Sequence, residues 1–455
     1  MKEILFNLSS KFRSRAIEKG LSDLEFYGVW SREIHIEISR SRVKSVVDKT
    51  SINYGIIGAI GKKIGSIGLR DLDIDVDRIL DRLISIIKAS REDEKFTGFA
   101  KKYGRGVESS IFDKKIVEID HSEALDIINN AIETSIESAR KHGADETFVT
   151  EGSFELSVGG VYISNIDGEE QYREGTLNNM FLEIKSRKDG EESSYWAIYQ
   201  SRRLSINDIL REANRGGEYS IKFIKASNIE SGEYSVILDP YMTAAFISSA
   251  LSPAFSALSV QENRSPLKNK IETQILSENI DIVDDPAIDW SIGSRSFDDE
   301  GIATMKKNIV EKGVLKTYLY NYYTAKRENR ESTGNGIRQT PSSVTTPGFT
   351  NFVLKGRGLL MNFDEMISEL KKGIIVHGLI GYWMSNPVNG STQATISHGL
   401  LVEHGEVKKA VKGNVLVGNI YEWLGRNIQG IGREVINVYG IMHVPAIFFS
   451  NGRIG

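Results

Sequence analysis

Four stretches of this 455-residue chain have residue types and spacings that could do chemistry. Asp281, Asp284, Asp285 and Asp289 come first, followed by Asp298-Asp299-Glu300 before Gly301. Clustered carboxylates hold Ca²⁺ or Mg²⁺, or share protons as an acid–base pair. They also cap strand ends and turns, and the Asp-x-Asp-x-Asp-Gly spacing of a calcium loop is missing. Ser332-Thr333-Gly334-Asn335-Gly336-Ile337-Arg338 is the third stretch. There the glycines let backbone N–H groups approach a ligand, Asn335 can pair with a peptide amide, and Arg338 can clamp a carboxylate. A tight turn with Asn and Gly in left-handed conformations accounts for the same residues, and a turn can itself line a cleft. Histidines make the fourth group. His398 and His404 stand on either side of Glu403, but extended chain separates the two imidazoles by roughly 20 Å, so both read as solvated surface groups. His443, in Gly440-Ile441-Met442-His443-Val444-Pro445, is a weak candidate metal ligand with no readable partner.

Several chemistries are excluded. The chain has no cysteine, hence no disulfide, thiol nucleophile or thiolate ligand. Neither a Gly-x-x-x-x-Gly-Lys-Ser/Thr phosphate loop nor a Gly-x-Ser-x-Gly elbow occurs. The net charge of −4, without a basic stripe interleaved with aromatics, gives no reason to expect nucleic-acid binding. No apolar run suits a bilayer and no signal peptide is read, so the expectation is a cytoplasmic protein with no membrane partner.

The elements that must position these groups follow from periodicity. Residues 3–20 read as an amphipathic helix stopped by Gly20. Residues 24–30 and 33–47 read as strands, the second with Ile34, Ile36 and Ile38 alternating with His35, Glu37 and Ser39. A hairpin is expected over 52–60 and 64–69, helices over 75–90 and 121–142, and a loop over 97–107. Short strands follow, then a helix over 206–214 ended by Arg215-Gly216-Gly217. The domain boundary is placed there, giving an α+β fold of two domains. Residues 1–215 form an antiparallel sheet with helices. Residues 216–455 form a β-rich, barrel-like or curved-sheet domain. In the second domain, strands are expected within 313–323, 352–355, 373–384 and 393–403, and helices near 362–372 and 419–427.

One further helix matters for what it lacks. Asp239 is a good N-cap and Pro240 suits the first helical position. Ile247, Leu251, Ala254 and Leu258 share a face, Ser248, Ser252 and Ser256 another, and Pro253 should kink or end the helix near Ser252. Between Pro240 and Val260 there is no His, Asp, Glu or Cys.

This stretch, Phe297-Asp298-Asp299-Glu300-Gly301 and the 332–338 loop resemble the TldD/PmbA family, the modulators of DNA gyrase. The TldD branch carries a zinc-peptidase motif, His-Glu-x-x-x-His, on the corresponding helix. A peptidase zinc needs imidazoles, a third ligand and a carboxylate, which serine and alanine do not supply. The resemblance is therefore to the TldE/PmbA branch. It implies a non-catalytic subunit with no cofactor of its own, paired with a zinc-bearing TldD-like metallopeptidase subunit that degrades small or unfolded peptides. This chain would complete the chamber and bind peptide through Thr333, Gly334, Asn335, Arg338, Asp298, Asp299 and Glu300. Two alternatives stay open: a self-sufficient metal-dependent peptidase using other ligands, and a homodimeric peptide-binding protein.

Overall fold

The computed structural model describes residues 1–455. The first half is a six-stranded antiparallel sheet built from β1 (Asp23–Ser39), β2 (Arg42–Ile60), β3 (Lys63–Leu69), β4 (Glu146–Asn165), β5 (Glu170–Lys188) and β6 (Glu191–Ser201). Their order is β3-β2-β1-β4-β5-β6. Side chains alternate faces along a strand, and the two faces have different occupants. Leu24 and Phe26 on β1 pack with α1 (Lys2–Glu18) and α2 (Val76–Ala89). Ile34, Ile36 and Ile38 pack with α4 (His121–Lys141) and α5 (Ile206–Lys222), reached after the short α3 (Lys114–Glu118). All five strand residues are even-numbered, so two helix pairs cover the two ends of one face. The odd positions Glu25 and Tyr27 are left for the other half of the chain.

Most expected elements are present. Helix α2 is capped by the Asp75 side chain, and α4 opens with a capping box between Asp120 and Glu123. Three readings are corrected. The strand expected over 33–47 is split by a hairpin at Arg40-Ser41, both with positive φ; neither residue carries the Gly or Asn signature of such a turn. The strands after α4 are long rather than short, 20, 19 and 11 residues. Helix α5 continues through Gly216-Gly217 to Lys222. A Cβ on Gly217 would lie 2.1 Å from the Ser135 carbonyl oxygen of α4. The glycines permit close helix packing and do not terminate the helix.

The second half contains a closed five-stranded barrel. β7 (Gly232–Leu238) pairs in parallel with Lys372–Ile380, which pairs with Ser391–Glu403. That strand continues the ring through Val415–Asn419 and Met442–Ile454, and the last returns to β7. The fold is thus α+β, with an N-terminal antiparallel sheet plus helices and a C-terminal β-rich barrel. Within 313–323, only Val314–Leu315 is strand, and Tyr322–Lys326 is a short helix capped by Asn321. No helix is long and apolar enough to cross a membrane.

Candidate functional site

Helix α6 (Pro240–Phe246) follows β7 directly and packs on the barrel strands. The Asp239 side chain accepts the Met242 N–H as its cap. The helix widens into a π-turn over Ile247–Leu251, tightens over Ser252–Phe255 and resumes at Ala257–Gln261. Pro253, which cannot donate a helical hydrogen bond, sits at the change of pitch. Ser248 and Ser249 donate back to the Ala245 carbonyl at 2.9 Å each, so their hydroxyls satisfy the helix itself. Phe246, Ile247, Ala250 and Leu251 are fully buried, with Phe246 edge-on to Trp423 at 5.3 Å. These residues do not fit a zinc ion, and no three His, Cys, Asp or Glu side chains anywhere in the chain are arranged to hold a metal.

The carboxylates and the 332–338 loop do come together, at the seam between the halves. Asp298, Asp299 and Glu300 occupy a buried turn closed by Gly301, whose φ is +79°. A Cβ there would meet the Tyr103 ring at 2.5 Å, so the turn needs glycine for close approach as well as for conformation. Asp298 accepts from the N–H groups of Glu300, Ile302 and Gly336. Asp299 accepts from the Tyr27 hydroxyl at 2.9 Å, Arg173 at 2.7 Å and the Arg338 N–H at 3.0 Å, with Arg295 beside it. Glu300 accepts from the Tyr322 N–H at 2.6 Å and from the Thr345 hydroxyl.

Asn335 has no free hydrogen-bonding capacity for a ligand. It donates to Asp284 and the Gly348 carbonyl and accepts from Lys307 and Thr333. Gly334 has a positive φ and lies against Ala303. Arg338 reaches across the seam to Glu25, stacks over the Tyr27 ring at 4.7 Å and donates to the Asp299 and Ser343 carbonyls. The earlier acidic group disperses: Asp281 pairs with Arg357, Asp284 with Lys307 and Asp285 with Lys306, while Asp289 accepts from the Ser110 N–H.

Burial sets the electrostatics. Desolvation, reinforced by Asp298, pushes Glu300 up to about 8, and desolvation pushes Asp298 up to about 6. Burial acts on Asp299 in the same sense, but Arg295 and Arg173 outweigh it and hold that carboxyl below the usual range. Above the turn, Glu25, Glu300, Arg338, Phe96, Phe99 and Tyr322 help line a cavity of about 400 Å³ between the halves.

The histidines separate. His443 is half-buried, its Nε2 lies 3.0 Å from the Ser291 hydroxyl, and burial lowers it to about 4. His404 is exposed in a hairpin turn, but His398 is not a solvated group. His398 contacts the Ser194 carbonyl, sits among Tyr195, Trp196 and Phe223, and is lowered to about 4 by burial. Two features escaped sequence reasoning. His377 Nδ1 lies 2.9 Å from Asp239 Oδ2 in a buried pair, and Arg215 is held over Tyr241 at 4.4 Å beside Glu212. No local spacing announces either, because each is made across the fold.

Residues 231–455 match the family model described as the PmbA/TldA metallopeptidase C-terminal domain. An uncharacterized protein of Methanocaldococcus jannaschii is 30% identical over 438 residues, covering 95% of this chain and 96% of that one. The chain belongs to the PmbA/TldD family. The metalloprotease PmbA homolog of Buchnera aphidicola is 26% identical, covering 88% of this chain and 86% of its own length. The crystal structure of TldE from Thermococcus kodakarensis superposes with a TM-score of 0.86 at 26% identity, covering 97% and 98% of the two chains. Members of this family are thus metallopeptidase-related, and the α6 segment of this one lacks residues suited to zinc.

Proposed function

We propose that this PmbA/TldD member is the metal-free subunit of a peptide-processing metallopeptidase pair, whose partner carries His-Glu-x-x-x-His and the zinc. The observation that carries the reading is the stretch from Pro240 to Val260, which has no zinc-liganding side chain and seals its inner face with Phe246, Ile247 and Leu251. The Asn335 amide and the Arg338 terminal nitrogens are committed to neighbours within the chain. Peptide recognition here therefore rests on backbone edges and cleft shape, which tolerate many sequences. The turn Tyr382–Met384 packs against the π-turn and leaves Trp383 64% and Met384 66% exposed. With exposed Ile380 and Val388 it makes an apolar patch suited to the partner subunit.

Purified without chelator, the lone chain is expected to hold no stoichiometric zinc and to leave unfolded peptides intact. Mixed with a His-Glu-x-x-x-His partner, it is expected to co-elute and support cleavage. Stoichiometric zinc with peptidase activity in the lone chain would overturn the reading in favour of a self-sufficient enzyme. A stable homodimer that binds peptide and ignores the partner would overturn it in favour of a binding module.

A further inference from the structure

The cavity between the halves has a chemical bias that the proposed role does not explain. Its lower wall is Glu25, Arg338 and Glu300; its sides are Ile57, Ile64, Phe96 and Phe99. The Phe96 and Phe99 rings meet edge to face at 5.2 Å. A volume near 400 Å³ with apolar walls and a few convergent polar groups is the form small-molecule sites take.

The charges do not balance. Glu25 and Arg338 neutralise each other, while Asp93 accepts from the neutral Tyr323 hydroxyl at 2.8 Å and keeps its charge. Glu300 accepts only from an N–H and a hydroxyl, with no cation of its own. Arg338 is the one basic residue lining the cavity. What remains uncompensated is therefore acidic, and the adjacent aromatic walls favour a cation over an anion.

We propose that this cavity binds a small amphipathic ammonium, its charged head at Glu300 and its apolar body against Phe96 and Phe99. A free amine and the N-terminus of a short peptide both supply that head. The proposal stands whether or not the chain pairs with a catalytic subunit.

The groups facing Glu300 give the site a proton signature. Asp298 and Glu25 raise it, Arg338 lies opposite, and Tyr322 is close by. Burial and Asp298 favour the protonated form of Glu300, and an ammonium that settles beside it favours release of that proton.

The test is calorimetric titration of the full chain with phenethylamine, a Phe-Leu dipeptide, its N-acetyl form and phenylacetate, in buffers of differing ionisation enthalpy. The two free amines are expected to bind, releasing up to about one proton near pH 7 and less near pH 9. The tighter of the two identifies the source. Glu300→Gln is expected to weaken binding at least about tenfold and abolish proton release. Ser66→Trp, at the exposed mouth and away from the buried turn, is expected to block binding in a chain that still folds. The proposal is overturned if the acetylated dipeptide binds as well as the free one. It is equally overturned if neither amine binds at millimolar concentration, or if both variants bind like the parent.

Discussion

Residues 240–260 and the Asp298–Glu300 turn with Arg338 belong to the same half of the chain and both bury their key side chains, yet they have opposite chemical characters. The first stretch has no acid, base or histidine, and its Ser248 and Ser249 turn their hydroxyls back on the helix. The second buries Asp298, Asp299, Glu300 and Arg338 and answers them with Glu25, Tyr27 and Arg173 from the other half. Where a zinc peptidase would concentrate its ionisable groups, this protein packs hydrocarbon. Buried charges instead gather at the seam, where Glu25–Arg338 and Arg173–Asp299 join the two halves. Stability of the first region should therefore depend on volume, and that of the second on charge and pH.

The largest expected effect separates them directly. Arg338→Ala removes the partner of a buried Glu25 and should cost about 3–5 kcal/mol in chemical denaturation, because an uncompensated charge stays behind. Leu251→Ala, in the dry helix, should cost about 2–5 kcal/mol through cavity formation. That cost should be the same in mild acid and mild base. A marked pH dependence of the Leu251 loss would break the comparison.

Glu300 sharpens it with a sign. Its folded value, about 8, lies above an unfolded carboxylate near about 4.3, so the folded state holds the extra proton between them. Its stabilising contribution is complete below the unfolded value and lost as pH rises through about 8. Glu300→Gln should flatten that decline and give the more stable protein in alkaline solution, read as melting temperature against pH. Asp299 runs the other way. Held low by Arg295 and Arg173, it adds stability that is present near neutrality and lost on acidification. Trp383→Ala should make the smallest change, within about 0.5 kcal/mol of the parent. If the exposed patch meets a partner, the same substitution weakens co-elution far more than it weakens the fold.

Local patterns carried far in this chain. Ile34, Ile36 and Ile38 mark a half-buried strand, Asp239-Pro240 marks a helix start, and Pro253 marks the break after Leu251. Patterns failed where the cause was remote. Gly216-Gly217 looks like a helix end until α4 is seen lying against it, and Arg40-Ser41 turns a hairpin without turn residues. His398 looks solvated from its sequence neighbours because nothing near it in the chain shows Tyr195, Trp196 and Phe223 closing over it.

The order of the amino acids by itself determined the α+β character, the family resemblance and the absence of zinc ligands between Pro240 and Val260, since each rests on residue identity or short-range period. Only the tertiary structure decided the fate of the candidate residues. Glu25 and Arg338 are 313 positions apart, as Tyr27 and Asp299 are 272 apart. No periodicity spans such distances; folding alone brings these groups together and sets their charge.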